Sequence, residues 1–303
     1  MRRFRMKQVD VFTDRPLTGN PLAVILDGEG LSSEEMQAIA REMNLSETTF
    51  VLPSTKKEVD YKVRIFTPRK EIPFAGHPSI GTAHALIEED TIAVKEGVTT
   101  VRQELGIGVL PIKIKRNEDG KYLITMTQGQ PRLGQILGNT QEIADALRIP
   151  TAQVGFENLP VQVSSTGLNQ LMIPVRSSEQ VRSLSPNFEL LKEFERELNA
   201  TGCCVFTLKK PDPKVLVHMR FFAPEAGVQE DPATGSAAGA LGAYLVAHGM
   251  FGSKSPVSFA IEQGIEIQRP SMITVTVQQA KGTPTVVKVG GSAVTVSNGE
   301  IVL

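Results

Sequence analysis

His77-Pro78-Ser79-Ile80-Gly81-Thr82-Ala83-His84-Ala85 and Asp231-Pro232-Ala233-Thr234-Gly235-Ser236-Ala237-Ala238-Gly239 read as two copies of one motif. Setting Pro78 on Pro232 places Gly81 on Gly235, an offset of 154. The flanks keep nearly the same spacing. Ahead of each motif runs an apolar strand ending on an aromatic-x-Pro step, Phe66-Thr67-Pro68 and Phe222-Ala223-Pro224. Farther upstream each half carries an amphipathic helix. In the first, Ser32 and Glu35 form a capping box, and Met36, Ile39, Ala40 and Met43 follow at one-sided helical spacing. Its counterpart is expected to open with Ser185 as cap and Pro186 at the first helical position, with Phe188, Leu191, Phe194 and Leu198 on its apolar face. A strand follows each helix, at residues 49–52 and 203–208. Repetition on this scale implies an internally duplicated chain.

The segments that follow the motifs, residues 79–87 and 237–247, carry no charged side chain while His84 is neutral. A helix that is apolar on every side has to be buried on every side. At about 11 residues such a helix is too short to cross a bilayer. Gly235, Gly239 and Gly242 would let neighbouring strands approach its backbone. Around these helices, residues 101–104, 108–115, 122–127, 272–278, 286–289 and 293–296 are β-branched stretches separated by glycine, proline and asparagine turns. The expected fold is α+β, with two pseudo-symmetric lobes, each a mainly antiparallel β-barrel around a central helix. The lobes are placed at residues 1–128 and 129–303, linked at Gln128-Gly129-Gln130-Pro131, with room for the last strands to cross back to the first lobe.

Composition narrows the function. Among 303 residues, 41% are hydrophobic and the formal net charge is -1, a balance that does not suit a nucleic-acid or anionic-membrane partner. There is no secretory leader pattern at the start, so a cytoplasmic protein is expected. Cys203 and Cys204 are adjacent, which makes a poor chelate and a strained disulfide, and no CxxC, HExxH or histidine cluster accompanies them. No metal and no cofactor is expected. Nor does a P-loop lysine or a GxGxxG after a strand signal nucleotide binding.

The chemistry is expected at the helix starts, where unpaired amides and the helix dipole attract anions. Gly81 and Gly235 are placed there as exposed amides that would hold a carboxylate. His77 and Asp231 are the titratable groups, at points taken as equivalent in the two lobes and expected close together across one cleft. Taken alone, Asp231 before a proline reads as a helix cap and His77 as a turn histidine. Glu47, just before a strand and flanked by Ser46 and Thr48, is the candidate general base, with partial burial raising its basicity. His84, His218 and His248 are read as structural.

At these residues the chain resembles the PhzF-like phenazine-biosynthesis family, whose fold is shared with diaminopimelate epimerase. The resemblance rests on Gly19-Asn20-Pro21, Asn44-Leu45-Ser46-Glu47-Thr48, Phe66-Thr67-Pro68, Glu71-Ile72-Pro73-Phe74-Ala75-Gly76-His77-Pro78-Ser79, Glu230-Asp231-Pro232-Ala233-Thr234-Gly235-Ser236-Ala237 and the closing Gly290-Gly291. It implies a homodimer and a cofactor-independent isomerase that shifts a proton on a small carboxylate-bearing, cyclic or amino-acid-like substrate. By motif the family's catalytic roles fall on Glu47, His77 and Asp231, with Ser236 assisting and Gly76 and Gly235 near the bound carboxylate, while Ser79 and Gly81 at the first motif complete the expected substrate-binding set with Gly76, Gly235 and Ser236. An amino-acid epimerase or racemase and a catalytically silent binding protein on the same scaffold are the alternatives. The related epimerases use a cysteine beside each helix-start glycine, and neither Ile80 nor Thr234 is one.

Overall fold

The computed structural model describes residues 1–156, 158–209 and 215–303. The chain divides into two compact units, Met1–Thr127 with Gly290–Leu303, and Gln128–Val289. The first unit contains β1 (Arg3–Val11), β2 (Asn20–Ile25), α1 (Ser33–Met43), β3 (Glu47–Leu52), β4 (Tyr61–Phe66), β5 (Glu71–Ile72), α2 (Gly76–Glu88), β6 (Val98–Leu105), β7 (Gly108–Arg116) and β8 (Tyr122–Thr127). The second contains β9 (Arg132–Ile136), α3 (Thr140–Leu147), β10 (Gln162–Ser165), β11 (Asn169–Pro174), α4 (Ser178–Ser183), α5 (Phe188–Glu197), β12 (Cys203–Leu208), β13 (Val215–Ala223), β14 (Val228–Asp231), α6 (Gly235–Ala247), β15 (Val257–Gln263) and β16 (Ser271–Ala280). From β17 (Thr283–Gly291) the chain passes into β18 (Ala293–Val302), which lies in the first unit and pairs with β1.

The duplication is legible in the strand ladders. In the first unit β2 runs parallel to β3, β3 antiparallel to β4, β4 parallel to β6 and β6 antiparallel to β7. In the second, β11, β12, β13, β15 and β16 repeat that alternation step for step. A parallel pair needs a long crossover. In each unit the helices supply it: α1 between β2 and β3, α2 between β4 and β6, α4 with α5 between β11 and β12, and α6 between β13 and β15.

The two central helices are buried as their composition requires. α2 packs against β1, β2, β3, β7, β8 and β18, and α6 against β10, β11 and β16. A Cβ on Gly242 would stand 2.6 Å from Val275 Cγ1, so α6 lies against β16 at a distance only glycine allows. The chain also repeats an arginine device. Arg64 on β4 forks onto Glu71 and lies 5.0 Å over the Phe66 ring, while Arg220 on β13 forks onto Glu230 and lies 5.0 Å over Phe222.

Three expectations need correction. Both central helices begin at a glycine, Gly76 and Gly235, and both run 13 residues. The true register of the repeat is therefore Glu71-x-Pro73-x-x-Gly76 on Glu230-x-Pro232-x-x-Gly235, an offset of 159 and not 154. Pro78 lies inside the first turn of α2, where its missing N–H costs nothing. In the corrected register His77 matches Ser236, and Asp231 matches Ile72, so His77 and Asp231 are not equivalent. Finally, α5 is capped by Asn187, whose side chain accepts the Glu189 N–H, with Ser185 and Pro186 outside it. The helices α3 and α4 were not foreseen at all.

Candidate functional site

The packing of α2 against β3 brings Glu47 to His77. Thr82 Oγ1 on α2 donates to Thr49 Oγ1 on β3 at 2.9 Å. Two residues back along a strand keeps the same face and moves ~6.6 Å, while five residues back along a helix moves ~7.5 Å. Those steps lead from Thr49 to Glu47 and from Thr82 to His77, and His77 Nε2 stands 3.4 Å from Glu47 Oε2. The His77 side chain is 8% exposed and that of Glu47 18%. Although this is ion-pair distance, burial pushes the His77 pKa down to about 3, so the imidazole is neutral. A neutral ring places no positive charge beside the Glu47 carboxylate.

Ser46 and Thr48 part company in the structure. Ser46 Oγ donates to the buried Asn20 Oδ1 at 3.2 Å, anchoring the entry to β3. Thr48 points to the opposite strand face from Glu47 and cannot orient it. Asn20, to which sequence reasoning gave no role despite its place in Gly19-Asn20-Pro21, thus supports the Glu47 strand.

The starts of both central helices lack a side-chain cap: Ala75 precedes Gly76 and Thr234 precedes Gly235. Their first amides are the kind that hold an anion. Gly76 and Gly235 are the first helical residues, as anion contacts there require. Gly81 is not; it sits in the sixth position of α2, where a Cβ would come 2.6 Å from Leu22 Cδ2 and 2.8 Å from Val11 Cγ2. Its job is helix–strand packing. Gly81→Ala should therefore cost ~1–3 kcal/mol of stability through overpacking, measured by urea unfolding, and leave substrate affinity unchanged in the folded fraction. Ser79 is fully buried, donates to the Ala75 carbonyl at 3.0 Å and accepts from Gln103 Nε2 at 3.3 Å, so it stiffens the first turn instead of facing a ligand.

In the second unit Asp231 ends β14, three residues before the cap residue Thr234, so it does not cap α6. Thr234 Oγ1 donates to its Oδ2. Ser236, the second residue of α6, accepts from Gln170 Nε2 at 3.4 Å. The remaining histidines are tied elsewhere: His84 faces Glu88, His218 lies between Glu262 and Glu266, and His248 caps α6 and meets Gln162.

Both cysteines are wholly buried in β12, and burial pushes both thiols up, away from the thiolate. Neither lies at a helix start, where Ala75 and Thr234 stand. Cys203→Ser and Cys204→Ser should each retain turnover within about threefold while losing ~1–3 kcal/mol for the buried hydroxyl, read by activity assay and denaturation side by side.

With this geometry in place, comparison with known proteins is informative. A family model described as phenazine biosynthesis-like protein matches residues 9–299. The chain belongs to that family. Over 307 residues it is 38% identical to an uncharacterized isomerase of Clostridium acetobutylicum, covering 100% of this chain and 99% of the relative. It is 35% identical over 295 residues to the trans-2,3-dihydro-3-hydroxyanthranilate isomerase of Pseudomonas fluorescens, covering 97% and 98%. The crystal structure of the Bacillus anthracis phenazine biosynthesis protein of the PhzF family superposes with a TM-score of 0.90 at 32% identity, over 100% of both chains. The α+β fold and the place of this phenazine biosynthesis-like chain among isomerases follow.

Proposed function

We propose that this isomerase moves a proton on a small carboxylate-bearing substrate, cyclic or amino-acid-like, without a cofactor. Glu47 is the base, His77 and Asp231 relay protons or hold polar groups of the substrate, and the amides at Gly76 and Gly235 with the Ser236 hydroxyl receive its carboxylate. The observation that carries this reading is the approach of Glu47 to a neutral, buried His77 at the first turn of a helix without a side-chain cap. A base for a carbon acid needs an environment that spares its basicity, and a helix start supplies positive potential without a lysine or arginine.

The chemistry named for the Pseudomonas fluorescens relative makes trans-2,3-dihydro-3-hydroxyanthranilate the first compound to try. Purified protein is incubated in heavy water with that compound and with a panel of cyclic amino acids, and mass spectrometry follows deuterium at carbon. Incorporation into at least one, dependent on enzyme concentration, is expected. No enzyme-dependent incorporation across the panel would overturn the proton-shift reading in favour of a binding protein.

A further inference from the structure

We infer that Thr234 and Gln263 are positioning residues that hold Asp231 as a hydrogen-bond-accepting carboxylate, an inference that rests on the reading above in which Asp231 serves the reaction. Gln263 ends β15 and is wholly buried. Its amide orientation is set by two backbone groups whose roles cannot be exchanged. Nε2 donates to the Asp231 carbonyl at 2.7 Å, and Oε1 accepts the Thr234 N–H at 2.9 Å. With the amide so fixed, the second Nε2 proton is directed at Thr234 Oγ1, 3.1 Å away. A hydroxyl that accepts on that side has its own single proton to give, and Asp231 Oδ2 lies within hydrogen-bond distance of it. The direction of the whole relay follows: Gln263 donates to Thr234, and Thr234 donates to Asp231. A proton on Asp231 Oδ2 would put two hydrogens between the same pair of oxygens.

The relay is also mechanically confined. Gly264, at φ +78°, follows Gln263, and a Cβ there would come within 2.5 Å of the Pro232 carbonyl oxygen and 2.4 Å of the Arg269 carbonyl oxygen. The end of β15 is therefore pressed backbone to backbone on the 231–234 segment, beside the wholly buried Gln263. Asp231 enters the reaction with Oδ2 oriented and accepting, which suits it to hold a polar group of the substrate while Glu47 shuttles the proton.

The test has a spectroscopic arm and a kinetic arm. In the full-length protein with aspartate labelled at the carboxylate carbon, the Asp231 signal is assigned by its loss in Asp231→Asn and compared at neutral pH in wild type, Thr234→Val and Thr234→Ser. The signal is expected to move in the valine variant, which keeps the shape and removes the hydroxyl, and to return in the serine variant. Deuterium exchange into the compound found active should show kcat reduced ~10- to 100-fold in Thr234→Val, the scale of a misplaced catalytic group, with KM changed far less and with rescue by serine. An unmoved carbon signal in Thr234→Val overturns the inference, as does wild-type kcat in that variant when Asp231→Asn has lost it. A wild-type rate in Asp231→Asn removes Asp231 from the reaction, and the parent reading falls on its own evidence.

Discussion

Glu47→Gln is expected to abolish deuterium exchange into the substrate while leaving the fold and the affinity for substrate intact. The amide has nearly the carboxylate's shape and still fits at the start of β3, 3.4 Å from where the His77 ring is held. What it cannot do is take a proton. General-base assistance contributes ~10²–10⁴ in rate, so kcat should fall by at least that range, with KM moving little. His77 is a poor substitute, because burial lowers its pKa to about 3 and so weakens it as a base, and its contact with residue 47 is not an ion pair that the mutation would break. Single-turnover exchange in heavy water reads the loss directly. A Glu47→Gln protein that exchanges within tenfold of wild type would assign the base to another residue.

The second large effect is on stability, and the duplication supplies its own control. Arg220 and Glu230 are 8% and 10% exposed, and Arg220 Nη1 also donates to the Val181 and Leu184 carbonyls at 3.1 and 2.9 Å, the latter at the cap of α4. Arg220→Met leaves a buried carboxylate and two carbonyls without their donor, a loss of ~3–5 kcal/mol for breaking one side of a buried pair. Arg64→Met removes the matching fork from Glu71, but there the side chains are 23% and 42% exposed, and water takes over. That change should cost ~0–1 kcal/mol. Parallel urea denaturation of the two variants checks the contrast. Equal losses would mean that stacking over the phenylalanine, common to both sites, carries the energy.

Much of this was legible in the residues themselves. The capping box at Ser32 and Glu35 is present as read, because its partners are local and its geometry is carried by the sequence. The charge-free helices are buried as their composition demands. The repeat is visible, but aligned on the prolines its register slips by five residues, since Pro78 and Gly81 inside α2 imitate Pro232 ahead of α6 and Gly235 at its start. The shared Glu-x-Pro-x-x-Gly frame, anchored by Glu71 and Glu230 on their arginines, carries the correct register, and it becomes compelling only once those forks are visible. Glu47 and His77 were named from their motifs, yet their contact depends on the pitch of β3 against α2. Gln263 had no signal: a lone glutamine at the end of a strand gains its meaning from Asp231 and Thr234, 32 and 29 positions away.

The pairing of β1 with β18 has a consequence for how the chain is made. Synthesis releases β1 ahead of the second unit, yet the strand that covers one of its sides, β18, emerges only after that whole unit. Throughout that interval β1 presents a row of unclaimed amides and carbonyls to a crowded cell, the kind of open margin that recruits stray chains. The sequence of that strand answers the hazard: Arg3, Arg5 and Lys7 recur at every other position along it. Like charges repel a second nascent copy, and they find their acidic partners, Glu300 for Arg3, Asp27 and Glu89 for Arg5, Glu88 and Glu89 for Lys7, once the chain is in place. The second unit, contiguous in sequence, is free to mature on the ribosome while the first waits for its final strand.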